Sequence, residues 1–100
     1  MSGVMQSLPQ ISIYGEYTNG GYGAHTLEVQ VGPLTFYYSY RTIVAFRAPS
    51  TGRVVSSNDW GPTTGKHLNW IDGGDKKGRL SREKFEESLL EVLKAYNLAA

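Results

Sequence analysis

Apolar and polar residues alternate through the first half of the chain, a pattern typical of strands with one buried face. Turn residues such as Gly32-Pro33 and Pro49 to Gly52 separate the alternating runs. The runs are residues 10–16, 26–31, 34–40, 43–47 and 53–57. We therefore predict an antiparallel sheet of four or five strands over residues 10–57, preceded by a loose lead-in over residues 1–9.

The third run is the richest in aromatic residues, and its alternation assigns them to opposite faces. We predict an inner face of Leu34, Phe36, Tyr38 and Tyr40 and an outer face of Thr35, Tyr37, Ser39 and Arg41. If the helices of the fold cover only the inner face, the outer side chains lie exposed on a flat sheet.

A helical period replaces the alternation after residue 58. Thr63 or Thr64 is a suitable cap for a short helix over residues 64–71, which Gly73 and Gly74 would end. Ser81 is a suitable cap for a C-terminal helix over residues 82–97. Its apolar stripe is Phe85, Leu89, Val92, Leu93 and Tyr96. A sheet followed by two helices, one of them packed on the sheet, is an α+β fold.

Composition limits the organisation and chemistry of the chain. Its 100 residues predict a single domain over residues 1–100. The absence of cysteine excludes disulfides, cysteine zinc sites and thiol catalysis, and fits a cytoplasmic protein. No apolar run is long enough to span a membrane, and the N-terminus lacks the pattern of a signal peptide.

Charge is distributed unevenly along the chain, although the net charge is only +1. Residues 1–40 contain no Lys or Arg, whereas most of the cations fall within residues 41–80. The basic residues of that middle third are Arg41, Arg47, Arg53, Lys66, Lys76, Lys77 and Arg79. Such a segment indicates a polyanionic partner.

Two motifs in the middle third resemble ligand sites without fitting them. The run from Gly61 to His67 differs from a P-loop in glycine spacing, and His67 stands where Ser or Thr is required. The run from Asp72 to Lys84 fits a calcium loop in neither frame, because the frame with Gly78 at the sixth position begins at Gly73 and ends at Lys84, and the frame from Asp72 to Glu83 puts Lys77 at the glycine position. We therefore predict no metal or other cofactor, although the start of the short helix, with Lys66, suits a backbone phosphate.

Aromatic residues interleave with the cations of the middle third, as in proteins that bind single-stranded nucleic acid. Our first hypothesis is a non-catalytic protein that binds DNA or RNA, or a nucleoprotein, through this segment. The second is a protein-binding module that uses the sheet face and the Gly/Tyr-rich loop at residues 18–23. Both hypotheses draw on one candidate set: Tyr37, Arg41, Trp60, Thr64, Lys66, His67, Asn69, Trp70, Lys76, Lys77 and Arg79.

We predict no catalytic residues. A hydrolase or nuclease centred on His67 is the third hypothesis, with Asp59 or Asp72 as the acid and Ser56 or Thr64 as the hydroxyl. The exposed edges of a small sheet also make a homodimer an expected assembly.

Residues 34–88 carry a resemblance to known proteins. The segment includes Tyr38-Ser39-Tyr40 and a run of the form Asn-x-Trp…Thr-Thr-x-Lys-His-Leu-Asn, from Asn58 to Asn69. It resembles a family of small uncharacterised proteins encoded by bacteriophages and other mobile elements. The resemblance implies a phage or mobile-element origin and a host-cell cytoplasmic setting. It also implies a role in nucleic-acid handling or, for the second hypothesis, as a protein-binding inhibitor of a host complex of defence or transcription. It supplies no catalytic residues.

Overall fold

The computed structural model describes residues 9–14 and 25–99. Within these ranges, five strands form one antiparallel sheet in which each strand pairs with its neighbours in the chain. The strands are β1 (Gln10–Ile13), β2 (Thr26–Val31), β3 (Leu34–Ser39), β4 (Thr42–Ala48) and β5 (Gly52–Val55). Two helices follow, α1 (Pro62–Asp72) and α2 (Arg82–Ala95), with a short 3-10 turn (Lys76–Gly78) between them. The predicted α+β architecture is confirmed, whereas residues 1–8 of the lead-in and the Gly/Tyr-rich loop lie outside the described residues.

One face of the sheet packs against α2. Phe36 of β3 and Phe46 of β4 are directly opposed on this face, and the ring of Phe85 from α2 lies 5.6 Å from the ring of Phe46. Leu34, Ala48, Leu89 and Val92 complete the buried cluster. The predicted stripe of α2 therefore packs as expected along most of its length. Its last member, Tyr96, instead follows the final helical residue and is exposed.

The opposite face packs against α1. Leu68 and Ile71 of the helix meet Val44, Ala45 and Val55 of the sheet in a second buried cluster. The sequence left open that the helices cover only the inner face and leave the outer side chains of β3 exposed. This is wrong, because the two helices cover opposite faces of the sheet. Tyr37 is half-buried against this cluster, and its ring makes an edge-on contact with the ring of Tyr14.

A β-bulge explains why two consecutive residues of β4 face the same helix. Tyr37 pairs with Ala45, but the next residue, Tyr38, pairs with Ile43. Val44 therefore has no paired residue on β3. Val44 and Ala45 both belong to the α1 cluster. A bulge of this kind changes the alternation of the strand that contains it.

The predicted place of Tyr40 on the inner face of the third run is wrong, because Tyr40 lies in the hairpin loop after β3. β3 ends at Ser39, and Tyr40 with Arg41 forms the two-residue loop to β4. Tyr40 has a positive φ of 58° and is 47% exposed, so it does not belong to the inner face. Arg41 is exposed in the same loop, as expected of an outer residue.

The helix ends follow local chemistry. α1 begins two residues before the predicted start because Pro62 occupies its first turn, where a missing N–H costs nothing, and Gly61 is the N-cap. Gly73 ends α1 in the left-handed conformation, with φ of 70°. Ser81 caps α2 as predicted, and its hydroxyl accepts a hydrogen bond from the Lys84 N–H. Across the described residues, neither helix has the length and apolar character needed to cross a bilayer.

Candidate functional site

A groove of about 520 Å³ lies beside α1, bounded by the connector from β5 and by the 3-10 turn. The lining contains cations, amides and a hydroxyl, and none of its side chains is a carboxylate. The lining residues are Ser57, Asn58, Pro62, Gly65, Lys66, Asn69, Lys76 and Arg79. We call this surface the basic groove. It brings together three of the seven cations of residues 41–80, whereas Arg41, Arg47, Arg53 and Lys77 lie outside its lining.

One wall of the basic groove is formed by the connector between β5 and α1, where the Asn58 side chain lies close to Gly65 of α1. The Asn58 side chain accepts a hydrogen bond from the Trp60 N–H at 3.0 Å and donates one to the Gly61 carbonyl at 3.2 Å. A Cβ on Gly65 would stand 2.9 Å from the Asn58 Nδ2 atom. Gly65 therefore lets the Asn58 turn lie directly on α1. This contact gives Asn58 and Gly65 of the run noted in the sequence a structural role.

Arg79 lines the groove but is already paired. Its Nε and Nη2 atoms donate to the two carboxylate oxygens of Asp72 at 2.7 and 2.9 Å, and both side chains are only 5% exposed. Nη2 also donates to the Asn69 side-chain carbonyl at 3.0 Å. Burial raises the pKa of the Asp72 carboxyl, but hydrogen bonds from Arg79 and the Gly74 N–H outweigh it and lower that pKa below its usual value. The Asp72 bond likewise raises the pKa of Arg79.

Lys66 and Lys76 are the groove's unpaired cations. Both residues are exposed, and no carboxylate of the described residues lies within ion-pair distance of either. The Lys66 ammonium lies 5.2 Å from the ring centre of Trp70, a cation–π contact that leaves its hydrogen-bond donors available. Lys77 is exposed on the same 3-10 turn, outside the lining.

His67 and Thr64, both candidates from the sequence, are buried between α1 and β3. The Ser39 hydroxyl lies 2.7 Å from Nδ1 of His67 and 3.1 Å from the hydroxyl of Thr64. The His67 side chain is fully buried, and burial, followed by the charges of His25 and Lys66, lowers its pKa. Burial therefore favours the neutral imidazole, and the His67 side chain cannot reach a phosphate in this structure.

Both acids of the catalytic sets considered from the sequence have other partners. Asp72 is held by Arg79, and Asp59 accepts a hydrogen bond from Ser57 at 3.3 Å. The hydroxyl nearest His67 belongs to Ser39, which sequence reasoning missed, although its alternation placed it on the correct face. Among the described residues, no group of three or more His, Cys, Asp or Glu side chains could hold a metal ion.

A second, smaller cavity of about 160 Å³ lies between the β3–β4 hairpin and the start of α1. Its lining combines two exposed aromatic rings, Tyr40 at 47% and Trp60 at 42%, with hydroxyl groups. The lining residues are Ser39, Tyr40, Thr42, Val44, Trp60 and Thr64. We call it the aromatic cleft. Trp70, by contrast, is half-buried and stacks on His67 with ring centres 5.7 Å apart.

The model of a family described only as a family of unknown function (DUF8033) matches residues 9–87, which include the sheet, α1 and the whole lining of both cavities. No curated protein and no solved structure matches the chain significantly.

Proposed function

The chain belongs to the family of unknown function DUF8033, and we propose that it binds nucleic acid, without catalysis, through the basic groove. One observation carries the proposal: Lys66 and Lys76 line the same groove, and no carboxylate of that lining competes for them. Lysine ammonium groups and neutral donors are the groups with which proteins hold the sugar-phosphate backbone.

The lining residues divide the expected work between them. Lys66 and Lys76 supply the charge, while the Ser57 hydroxyl is a neutral donor to phosphate oxygens. Arg79 holds the wall in place through Asp72 and Asn69. The proposal thus narrows the candidate set from the whole basic segment to two cations with free charge, and assigns Arg79 a positioning role.

The proposal is tested by measuring affinity for labelled oligonucleotides by fluorescence anisotropy over a series of salt concentrations. Two neutralised phosphates predict that log K falls with log salt with a slope of about −1.8 for a duplex and about −1.4 for a single strand. Replacing Lys66 and Lys76 together by Ala should abolish most of this slope. The matched control replaces Lys84 and Lys94, two exposed lysines of α2, and should leave it unchanged. Affinity that is absent at low salt, or equal losses in both double variants, would refute the proposal.

The biological setting is part of the same proposal. The resemblance of residues 34–88 to proteins of phages and mobile elements supports an accessory protein that acts in the cytoplasm of a host cell. Such a protein would act by occupying nucleic acid or a nucleoprotein.

Self-association is a second candidate function, and two exposed apolar side chains of β1 favour it. Ile11 and Ile13 of β1 are 66% and 54% exposed, and β1 carries no charged residue. β1 is an edge of the described sheet, and an antiparallel edge pairs with its own copy about a two-fold axis. Light scattering should show a dimer for the native chain and a monomer when both residues are replaced by Lys. Replacing the exposed Leu90 of α2 by Lys is the control, and a monomeric native chain would exclude this candidate.

A further inference from the structure

We propose that the aromatic cleft holds one unpaired nucleobase between the rings of Tyr40 and Trp60, so that the nucleic acid bound is single-stranded. This inference rests on the proposed function and adds to it the form of nucleic acid recognised. It uses residues that the basic groove does not contain.

The size and chemistry of the cleft suit one flat ring system. Its volume of about 160 Å³ is smaller than the roughly 300–1,000 Å³ of pockets that enclose drug-sized ligands. Two aromatic rings give stacking surfaces, which every base can use whatever its sequence. The half-buried Thr42 lines the cleft, and its hydroxyl can donate to or accept from the polar edge of a base, whereas the Ser39 and Thr64 hydroxyls are buried and bonded to each other.

Tyr40 has a strained backbone, and its ring contacts the rings of His25 and His67, with ring centres 4.6 and 5.7 Å away. Tyr40 is the first central residue of a two-residue hairpin loop and has a φ of 58°, a conformation for which glycine is preferred. A bulky residue is strained there, and strained positions concentrate at functional sites. Tyr40 is nearly half exposed and lines the cleft.

Trp60 also lines the cleft, and contacts on its backbone and ring hold it in place. Its backbone N–H donates to the Asn58 side-chain carbonyl, and the guanidinium of Arg82 lies 5.2 Å from its ring centre. Arg82 is itself anchored, because it donates to the Ile43 carbonyl at 2.9 Å and pairs with Glu86. An exposed indole with a fixed position loses little conformational freedom when a base stacks on it.

The two cavities share the segment that links β5 to α1. Asn58 lines the basic groove and Trp60 lines the aromatic cleft, while Gly65 and Thr64 of α1 border the groove and the cleft respectively. A strand whose phosphates contact the groove can therefore direct a base toward the cleft. Bases in a duplex are stacked and paired, so only a single strand can supply that base without paying for unstacking.

The test compares three labelled ligands of equal length: a base-bearing single strand, an abasic strand with the same phosphates, and a duplex. Each is titrated against the native chain and against Tyr40→Gly and Trp60→Ala. Glycine suits the backbone at residue 40, so the first variant removes the ring without straining the hairpin. Tyr96→Ala is the control, because Tyr96 is also an exposed tyrosine. It lies beyond the C-terminal end of α2, whereas Arg82, which contacts Trp60, begins that helix.

We expect the native chain to bind the base-bearing strand more tightly than either the abasic strand or the duplex. Tyr40→Gly and Trp60→Ala should weaken base-bearing binding about 5- to 150-fold, the range for one stacked base, and leave abasic binding unchanged. Tyr96→Ala should change neither. Quenching of tryptophan fluorescence by the base-bearing strand should be lost in Trp60→Ala.

Equal affinity of the native chain for base-bearing and abasic strands would overturn this inference while leaving the proposed function intact. If Tyr40→Gly and Trp60→Ala weaken binding of the base-bearing strand but replacing Lys66 and Lys76 does not, the base site in the cleft is supported and binding through the basic groove is refuted. If Tyr40→Gly loses capture of a protein from nuclease-treated lysate but binds single strands normally, the cleft belongs to a protein partner and the inference is overturned. Failure of every ligand to bind at low salt would overturn both.

Discussion

Replacing Arg79 by Met should destabilise the fold far more than removing an exposed cation. The change leaves the Asp72 carboxylate, only 5% exposed, without its bidentate partner, and removes three donated hydrogen bonds. Breaking a buried pair from one side costs about 3–5 kcal/mol. Asp72 keeps the Gly74 N–H at 2.9 Å and the nearby charge of Arg53, so the lower end of that range, about 3 kcal/mol, is expected.

The loss is measured by urea denaturation and by thermal unfolding. For a domain of this size, 3 kcal/mol corresponds to a decrease in Tm of about 12–24 °C. Asp72→Asn and the double variant complete a cycle that isolates the coupling between the two side chains. Lys77→Met is the control, since Lys77 is exposed and makes no ion pair among the described residues. A loss for Arg79→Met no greater than that for Lys77→Met would refute the structural role assigned to the pair.

Three further predictions follow from local geometry. Gly65→Ala should raise the free energy of unfolding by less than the usual ~1 kcal/mol of a helical Gly-to-Ala change, because the new Cβ would displace Asn58. In an Asn58→Ala background the same change should give the full increase, and urea denaturation measures both. The free energy of unfolding of Tyr40→Gly should lie within about 1 kcal/mol of that of the native chain. Tyr40→Ala, which keeps a side chain at the positive φ, should be less stable than Tyr40→Gly. The lowered pKa of His67 means that the unfolded chain binds the proton more readily, so stability should be full above pH 6.5 and decrease as pH falls below it. A His67→Gln variant should lack this dependence, and an unchanged pH profile would contradict the burial argument.

The strands and α2 were predictable because their patterns are local. Alternation of side chains in β3 and the stripe of Phe85, Leu89 and Val92 reflect which face of each element is buried, and burial follows periodicity. The covering of both sheet faces was not predictable in the same way. The short apolar stripe of α1, Leu68 and Ile71, does not indicate which face of the sheet it meets.

The candidate site was predicted in part. Lys66, Asn69, Lys76 and Arg79 do converge on one groove, as the cluster of cations in the sequence suggested. Charge counting could not show that Arg79 is neutralised, because its partner Asp72 is seven residues away and is found only through the turn that follows α1. Nor could it show that His67 is buried, since an amphipathic helix this short gives residue 67 no distinctive pattern.

The meander topology has a consequence for how the chain folds as it is synthesised. Every strand pairs with the strand made immediately before it, so the sheet can grow one hairpin at a time from the N-terminal end. Both of its faces remain uncovered during this growth, because α1 and α2 are made last. Phe36 and Phe46 meet water until the final fifth of the chain emerges and Phe85 packs against them. The nascent sheet is therefore the aggregation-prone stage of this protein, and the C-terminal helix ends it.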